Sequence, residues 1–113
     1  MAEVSITKSL KKEIFRKFKE ESIEIIKHIL TLENQPKKGK ILSVIGGIVI
    51  KELKYKKFRF YFITDGHLIK FGTQDELATI LIKFVAMSDK KDQQKIIDEI
   101  KNTLKSFGFD SFT

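Results

Sequence analysis

A run of apolar residues at helical spacing dominates the first third of the chain. Steps of three and four place these side chains on one helix face, with lysine and glutamate opposite: Leu10, Ile14, Phe18, Ser22, Ile25, Ile29 and Leu32. Such an apolar face has to be buried against another element of the fold. The pattern predicts one helix, or two joined near Lys19–Glu21, ending at Asn34 and Pro36.

Beyond Lys37 the period of the apolar residues changes from helical to extended. Two strands are predicted at Ile48–Lys54 and Phe58–Thr64, joined by a tight turn. The dipeptide Asp65–Gly66 is typical of a two-residue hairpin turn, so it predicts a third strand at His67–Phe71.

The second of these strands has two different faces. Alternation points Phe58, Phe60 and Phe62 to one side and Arg59 and Tyr61 to the other. The three phenylalanines are predicted to form the core beneath the N-terminal helices. Arg59 and Tyr61 are predicted to lie on the opposite, more open face of the sheet.

The remaining segments complete the predicted fold. The stretch "EVSIT" predicts a short first strand, "TILIKFVAM" predicts a late strand, and Ser88 is the expected cap of a final helix that Gly108 closes. We predict one α+β domain over residues 1–113. Its N-terminal strand and helical segment pack on a twisted antiparallel sheet of three to four further strands, with a C-terminal helix.

Composition excludes several classes of protein. There is no cysteine, and the only histidines are His28 and His67, so no metal and no cofactor is predicted. The longest apolar run, Ile41–Ile50, is far shorter than the roughly 20 residues of a membrane span. Glu3 lies early in a segment without an apolar core, so no signal peptide is predicted. We therefore expect a cytoplasmic protein without a membrane partner.

The net charge of +7 is concentrated in one part of the chain. Residues 35–60 carry eight Lys/Arg against one Glu, whereas residues 1–34 sum to +1 and residues 61–113 to −1. A localised basic block is typical of a phosphate-binding surface. Lysines also protect sheet edges against aggregation, which is the alternative interpretation. The candidate RNA contacts in and beside this block are Lys37, Lys38, Lys40, Lys51, Lys56 and Lys57.

Arg59 is one of only two arginines among 22 basic residues. Its planar guanidinium offers a fork of donors that lysine cannot reproduce, which suits phosphate binding. Lys54 lies on the neighbouring predicted strand, close across the turn. A structural ion pair between Arg59 and a carboxylate is an equally open interpretation.

Three short motifs carry a family resemblance. They are Glu52-Leu53-Lys54, the strand Phe58–Phe62, and the segment from Phe84 through "SDKKDQQ". With the loop "NQPKKGK", these motifs resemble the RelE/ParE toxin superfamily, nearest to its phage-derived HigB-like branch. The resemblance spans nearly the whole chain and implies a RelE-like fold.

The resemblance also implies a function. It implies the toxin of a toxin–antitoxin system, an mRNA endonuclease that inhibits translation without a cofactor, with RNA or the ribosome and a small antitoxin protein as partners. Carried over by position, Lys54 and Arg59 bind the phosphate and stabilise the transition state. Lys90 and Lys91 are further phosphate contacts or an acid, and Tyr61 is a stacking group.

One part of the family pattern is missing. No tyrosine follows the last predicted strand and no histidine lies in "SDKKDQQ", so no general base is evident; His67 is the only spare candidate. The alternative function is therefore a non-catalytic RelE-like module that binds nucleic acid or protein through the same basic face.

Overall fold

Five strands form one mixed sheet in the computed structural model, which describes residues 1–113. In chain order the strands are β1 Glu3–Ile6, β2 Lys40–Ile45, β3 Ile48–Tyr55, β4 Phe58–Asp65 and β5 Leu81–Asp89. Their order across the sheet is β1-β5-β4-β3-β2. The pair β1–β5 is parallel and the other three pairs are antiparallel. The α+β class is confirmed, with β1 added as a parallel edge strand.

Five helices accompany the sheet: α1 Lys8–Phe18, α2 Ser22–Leu30, α3 Gly66–Phe71, α4 Gln74–Leu77 and α5 Gln93–Phe107. The first helical segment is divided, because a 3₁₀ turn at Lys19–Glu21 separates α1 from α2. The side chain of Thr7 caps α1 by accepting a hydrogen bond from the backbone of Leu10. None of the five helices is both long and apolar enough to cross a membrane.

The helices α1 and α2 cover one face of the sheet. Their buried side chains Leu10, Ile14, Ile25 and Ile29 form one core with the fully buried rings of the sheet, Phe60, Phe62 and Phe84. Phe58 is half-buried at the edge of this core, with its ring centroid 4.9 Å from that of Phe18. The predicted packing of the N-terminal helices on the phenylalanine face is confirmed.

The opposite face is also covered, so the prediction of an open face is wrong. Helix α5 packs Ile97, Ile100 and Leu104 against it, where they form a second core with Ile50, Tyr61 and Ile63. Both faces of β3 and β4 carry apolar side chains. Each therefore needs a helix to remove its apolar surface from water.

The predicted third strand at His67–Phe71 is wrong, because these residues lie in α3. Asp65 ends β4 and caps the helix, its carboxylate accepting a hydrogen bond from the backbone N–H of Leu68 at 3.1 Å. The sequence from Thr73 to Glu76 fits the capping-box pattern, and the structure has a capping box there at the start of α4. These two short helices carry the chain from β4 to β5, which lies between β4 and β1.

Candidate nucleic-acid interface

The strand register brings several candidate residues together at the end of the sheet that carries the β3–β4 turn. Lys54 on β3 is the cross-strand partner of Arg59 on β4, and Arg59 is in turn the partner of Ser88 on β5. Glu52 lies two residues before Lys54, so it shares the same face of β3. This is the face that α5 covers.

Arg59 is held in a cluster with two other side chains. Its Nε lies 3.7 Å from Oε2 of Glu52, and the side chains of Arg59 and Glu52 are only 12% and 10% exposed. The amide of Gln93, at the start of α5, donates to the same carboxylate oxygen at 2.8 Å. We call Glu52, Arg59 and Gln93 the Arg59 cluster. The carboxylate partner of Arg59 is therefore present, while Lys54 beside it is exposed.

A groove between β2 and the start of α5 collects four lysines. They come from three places in the fold: the start of β2, the β5–α5 loop and the third turn of α5, namely Lys40, Lys90, Lys91 and Lys101. The rest of the lining is apolar or uncharged, namely Ile41, Leu42, Gln93, Gln94 and Ile97. We call this site the lysine groove.

The electrostatics of the lysine groove favour an anion. No carboxylate lines it, so the four ammonium groups reinforce one another's potential over one concavity. Gln93 lines the groove and also belongs to the Arg59 cluster, so the two sites are contiguous. No group of three or more His, Asp or Glu side chains is placed to hold a metal ion. The arrangement suits phosphate groups held by charge and hydrogen bonds.

The other predicted lysines lie apart from this groove. Lys56 is paired with Glu21, and the pKa of Glu21 is lowered because Lys56 and then the Tyr55 hydroxyl donate hydrogen bonds to its carboxylate. Lys57 is exposed in the β3–β4 turn. Lys37 and Lys38 line a separate cleft beside the N-terminus.

Lys51, a predicted RNA contact, is buried in this structure. Lys51 lies on the α1/α2 face of β3 with 1% of its surface exposed, and its ammonium donates to the backbone carbonyl of Lys37 at 2.9 Å. Burial, and then the nearby charge of Lys37, lower the pKa of Lys51. A phosphate cannot reach this ammonium without displacing the loop above it.

Tyr61, the predicted stacking group, is also buried in this structure. The Tyr61 ring is fully buried under α5, and its hydroxyl lies 2.7 Å from Oγ of Ser88. Because Ser88 Oγ donates to the carbonyl of Asp89, it accepts from Tyr61. Ser88 is thus a β5 residue that holds Tyr61 and not the cap of α5, which begins at Gln93. Burial is the main cause of the raised pKa of Tyr61.

Tyr61→Phe separates these two interpretations of Tyr61. We expect the variant to lose about 1 kcal/mol of unfolding free energy, because a buried hydroxyl donor is removed while the ring stays in place. RNA affinity should not change. Chemical denaturation and RNA titration of the two proteins measure both quantities. Weaker RNA binding with an unchanged free energy of unfolding would instead support Tyr61 as a residue that contacts RNA.

Three residues of the site were not predicted: Glu52 as a partner of Arg59, Gln93 and Lys101. The sequence did contain a signal for the position of Glu52. Side chains alternate along a strand, so Glu52 and Lys54 lie on the same face of β3. Gln93, Ile97 and Lys101 recur every four residues and so share one side of α5. No local pattern indicates that this side of α5 lies beside β2.

Comparison of the chain with protein-family models, curated proteins and solved structures finds no match. The resemblance to RelE/ParE toxins therefore rests on the sequence motifs alone.

Proposed function

We propose that this protein binds RNA through its phosphates in the lysine groove and acts as a RelE/ParE-type toxin that inhibits translation. The observation that carries the RNA-binding part is the convergence of Lys40, Lys90, Lys91 and Lys101 on one groove without a carboxylate. The choice of RNA, and of translation as the process inhibited, comes from the motif resemblance.

The lysine groove has the properties of a backbone-binding surface. Lysine ammoniums are mobile point charges on flexible stems, so they can follow the phosphates of a single strand without reading its bases. Lys40, Lys90 and Lys91 are exposed, and the exposed Lys54 extends the positive surface past the Arg59 cluster. Binding should therefore depend on charge more than on sequence.

The salt dependence of RNA binding tests this proposal. Each phosphate contact to a single strand contributes about −0.7 to the slope of log affinity against log salt. We expect a steep negative slope for the wild type. The triple variant Lys40→Ala, Lys90→Ala, Lys91→Ala loses three such contacts, so its slope should be less steep by about 2. Fluorescence anisotropy of a labelled single-stranded RNA over a range of KCl concentrations measures it.

The matched control is Lys70→Ala. Lys70 is an exposed lysine of α3, beyond the end of β4 opposite to the β3–β4 turn. The Lys70→Ala substitution removes one positive charge that lies far from the lysine groove. The slope of log RNA affinity against log salt should therefore equal that of the wild type. An unchanged slope in the triple variant would contradict the groove as the binding site and favour edge protection as the role of the lysines.

A second candidate function is RNA cleavage, which one specific observation favours. The sequence offers no evident general base, but the fold places the Glu52 carboxylate beside Arg59 and on the face of Lys54. Glu52 can accept the proton of a ribose 2′-hydroxyl as its oxygen attacks the adjacent phosphorus. The bond from phosphorus to the 5′ oxygen breaks, leaving a 2′,3′-cyclic phosphate and a 5′-hydroxyl.

The other groups of the site have complementary roles in that reaction. Arg59 would stabilise the negative charge that develops on the phosphate oxygens. Lys90 or Lys91 would protonate the leaving 5′ oxygen. Because Glu52 and Arg59 are largely covered, Gln93 has to give up its hydrogen bond to Glu52 when RNA enters. A protein that keeps this bond intact would bind RNA without cleaving it.

Regulated expression in cells tests the toxin assignment as a whole. We expect growth arrest on induction, with reduced incorporation of labelled amino acids into protein. Mapping of transcript ends should reveal new 5′-hydroxyl termini if Glu52 and Arg59 cleave RNA. Growth arrest without such termini would favour the non-catalytic RelE-like module, and normal growth with normal translation would contradict the toxin assignment.

A further inference from the structure

Lys51 is a buried cation without a carboxylate partner. It is 1% exposed, and the two ion pairs of the structure, Lys56–Glu21 and Arg59–Glu52, do not include it. Its ammonium has one hydrogen bond, to the carbonyl of Lys37, and lies 5.7 Å from the centroid of the Phe62 ring. Burying an ammonium with so little compensation disfavours folding. An apolar residue would suit this position in β3 better if packing were its only role.

The loop above Lys51 is fitted closely to the sheet. We call Lys37–Gly39 the basic loop. Gly39 has a φ of +103°, and a Cβ at this position would lie 2.8 Å from Cζ of Phe62 and 2.9 Å from the carbonyl oxygen of Glu52. Phe62 is the cross-strand partner of Lys51. The basic loop therefore packs on the Lys51–Phe62 pair. At one end of the loop the Lys51 ammonium binds the carbonyl of Lys37, and at the other end Gly39 packs against the Phe62 ring.

The basic loop leads directly into the lysine groove. Lys40 follows Gly39, begins β2 and lines the groove. In the sheet, Lys40 is the partner of Glu52, the carboxylate of the Arg59 cluster. The position of the loop thus sets where Lys40 lies relative to Lys90 and Lys91.

We infer that Lys51 is a positioning residue for phosphate binding: its buried ammonium fixes the basic loop on the sheet and so holds Lys40 in the lysine groove. The inference rests on the proposed function, in which Lys40 contacts RNA. Lys51 itself does not touch the ligand. An apolar side chain of similar length fills the same space but cannot hold the Lys37 carbonyl.

Lys51→Met in the full chain tests the inference with three measurements. Thermal stability should be unchanged or higher, since a buried amine is replaced by an apolar side chain of similar length. Hydrogen exchange at the amides of Lys38 and Lys40 should become at least about tenfold faster, because the loop loses its tether. RNA affinity should fall about three- to tenfold, with a less steep salt slope, as one phosphate contact is weakened.

Lys83→Met is the matched control. Lys83 on β5 makes the same kind of contact, donating to the carbonyl of Phe112 at 2.9 Å with its ammonium over the ring of Phe109. Its loss should speed exchange only near the C-terminus and leave RNA affinity unchanged. Gly39→Ala displaces the basic loop while Lys51 is kept, so this variant should also weaken RNA binding. It provides the test of the inference if Lys51→Met does not fold.

The outcomes distinguish this inference from the proposed function. If the hydrogen-exchange rates of the Lys38 and Lys40 amides are unchanged in Lys51→Met, the inference is overturned. Faster exchange at these amides with wild-type RNA affinity also overturns it. Faster exchange together with weaker RNA binding supports it. If the wild type binds no RNA, the proposed function fails, while faster exchange still supports Lys51 as the anchor of the loop.

Discussion

Arg59→Lys is expected to lower the rate constant of RNA cleavage about 100- to 1,000-fold, the usual effect of removing a preorganised donor from a transition state. Lysine keeps the charge but loses the planar fork of donors with which Arg59 is proposed to bind the phosphate. Ground-state RNA affinity should change by about 1 kcal/mol or less, because the lysine groove is intact. Single-turnover cleavage of a short RNA, with affinity measured separately, gives both numbers.

Companion variants identify the role of each neighbour. Glu52→Gln removes the proposed base and should lower the cleavage rate about 100-fold or more, without a comparable loss of affinity. Lys54→Ala removes an exposed charge beside Arg59 and should weaken binding and cleavage together. Lys70→Ala on α3 should change neither, and thermal melts check that each variant folds.

Two results would contradict the cleavage hypothesis in different ways. A well-folded Arg59→Lys variant with the wild-type rate removes Arg59 from the reaction and leaves it as the structural partner of Glu52. A wild type that binds RNA but cleaves none, alone or with ribosomes, leaves the non-catalytic module as the function. In that case the Arg59 cluster serves to fix β3, β4 and the start of α5 together.

Phe62→Ala should be the most destabilising single substitution, reducing the unfolding free energy by about 3–5 kcal/mol. The Phe62 ring is fully buried, lies 4.6 Å from the Phe84 ring between centroids, and supports Gly39 of the basic loop. Its removal leaves a cavity that rigid neighbours from two strands cannot fill. The loss is a large fraction of the 5–15 kcal/mol typical of a domain.

Phe107→Ala is the matched control for this core prediction. Phe107 ends α5 and is 77% exposed, so its removal should change the unfolding free energy by less than about 0.5 kcal/mol. Urea unfolding followed by circular dichroism compares the two variants with the wild type. Equal small losses for both would contradict the burial of the phenylalanine face.

Local sequence patterns determined several elements correctly. The stripe from Leu10 to Leu32 predicted a helical segment, and the alternation over Phe58–Phe62 predicted both a strand and its buried face. The capping box at Thr73–Glu76 was also found. Each of these signals depends on side chains only a few residues apart, so each is present in the sequence whatever the rest of the chain does.

The prediction failed where one local signal suits two structures. Asp65–Gly66 fits a hairpin turn, yet aspartate is also a good helix cap, and here it starts α3. The Gly66 N–H donates to the carbonyl of Gly47, in the β2–β3 turn, at 2.8 Å. That contact lies between residues far apart in sequence, so the dipeptide alone does not predict it.

By itself the sequence determined the amphipathic helices, the two-faced strands and a basic block between residues 35 and 60. Only the tertiary structure decided which lysines of that block are exposed, and that Lys40 is the one that lines the lysine groove. Lys51 and Lys54 are three residues apart, but odd and even positions of β3 point to opposite faces, so one is buried and the other exposed. Lys40, Lys90 and Lys101 share a groove because β2 lies beside α5, although the two elements are far apart in the sequence. Such long-range packing leaves no local pattern.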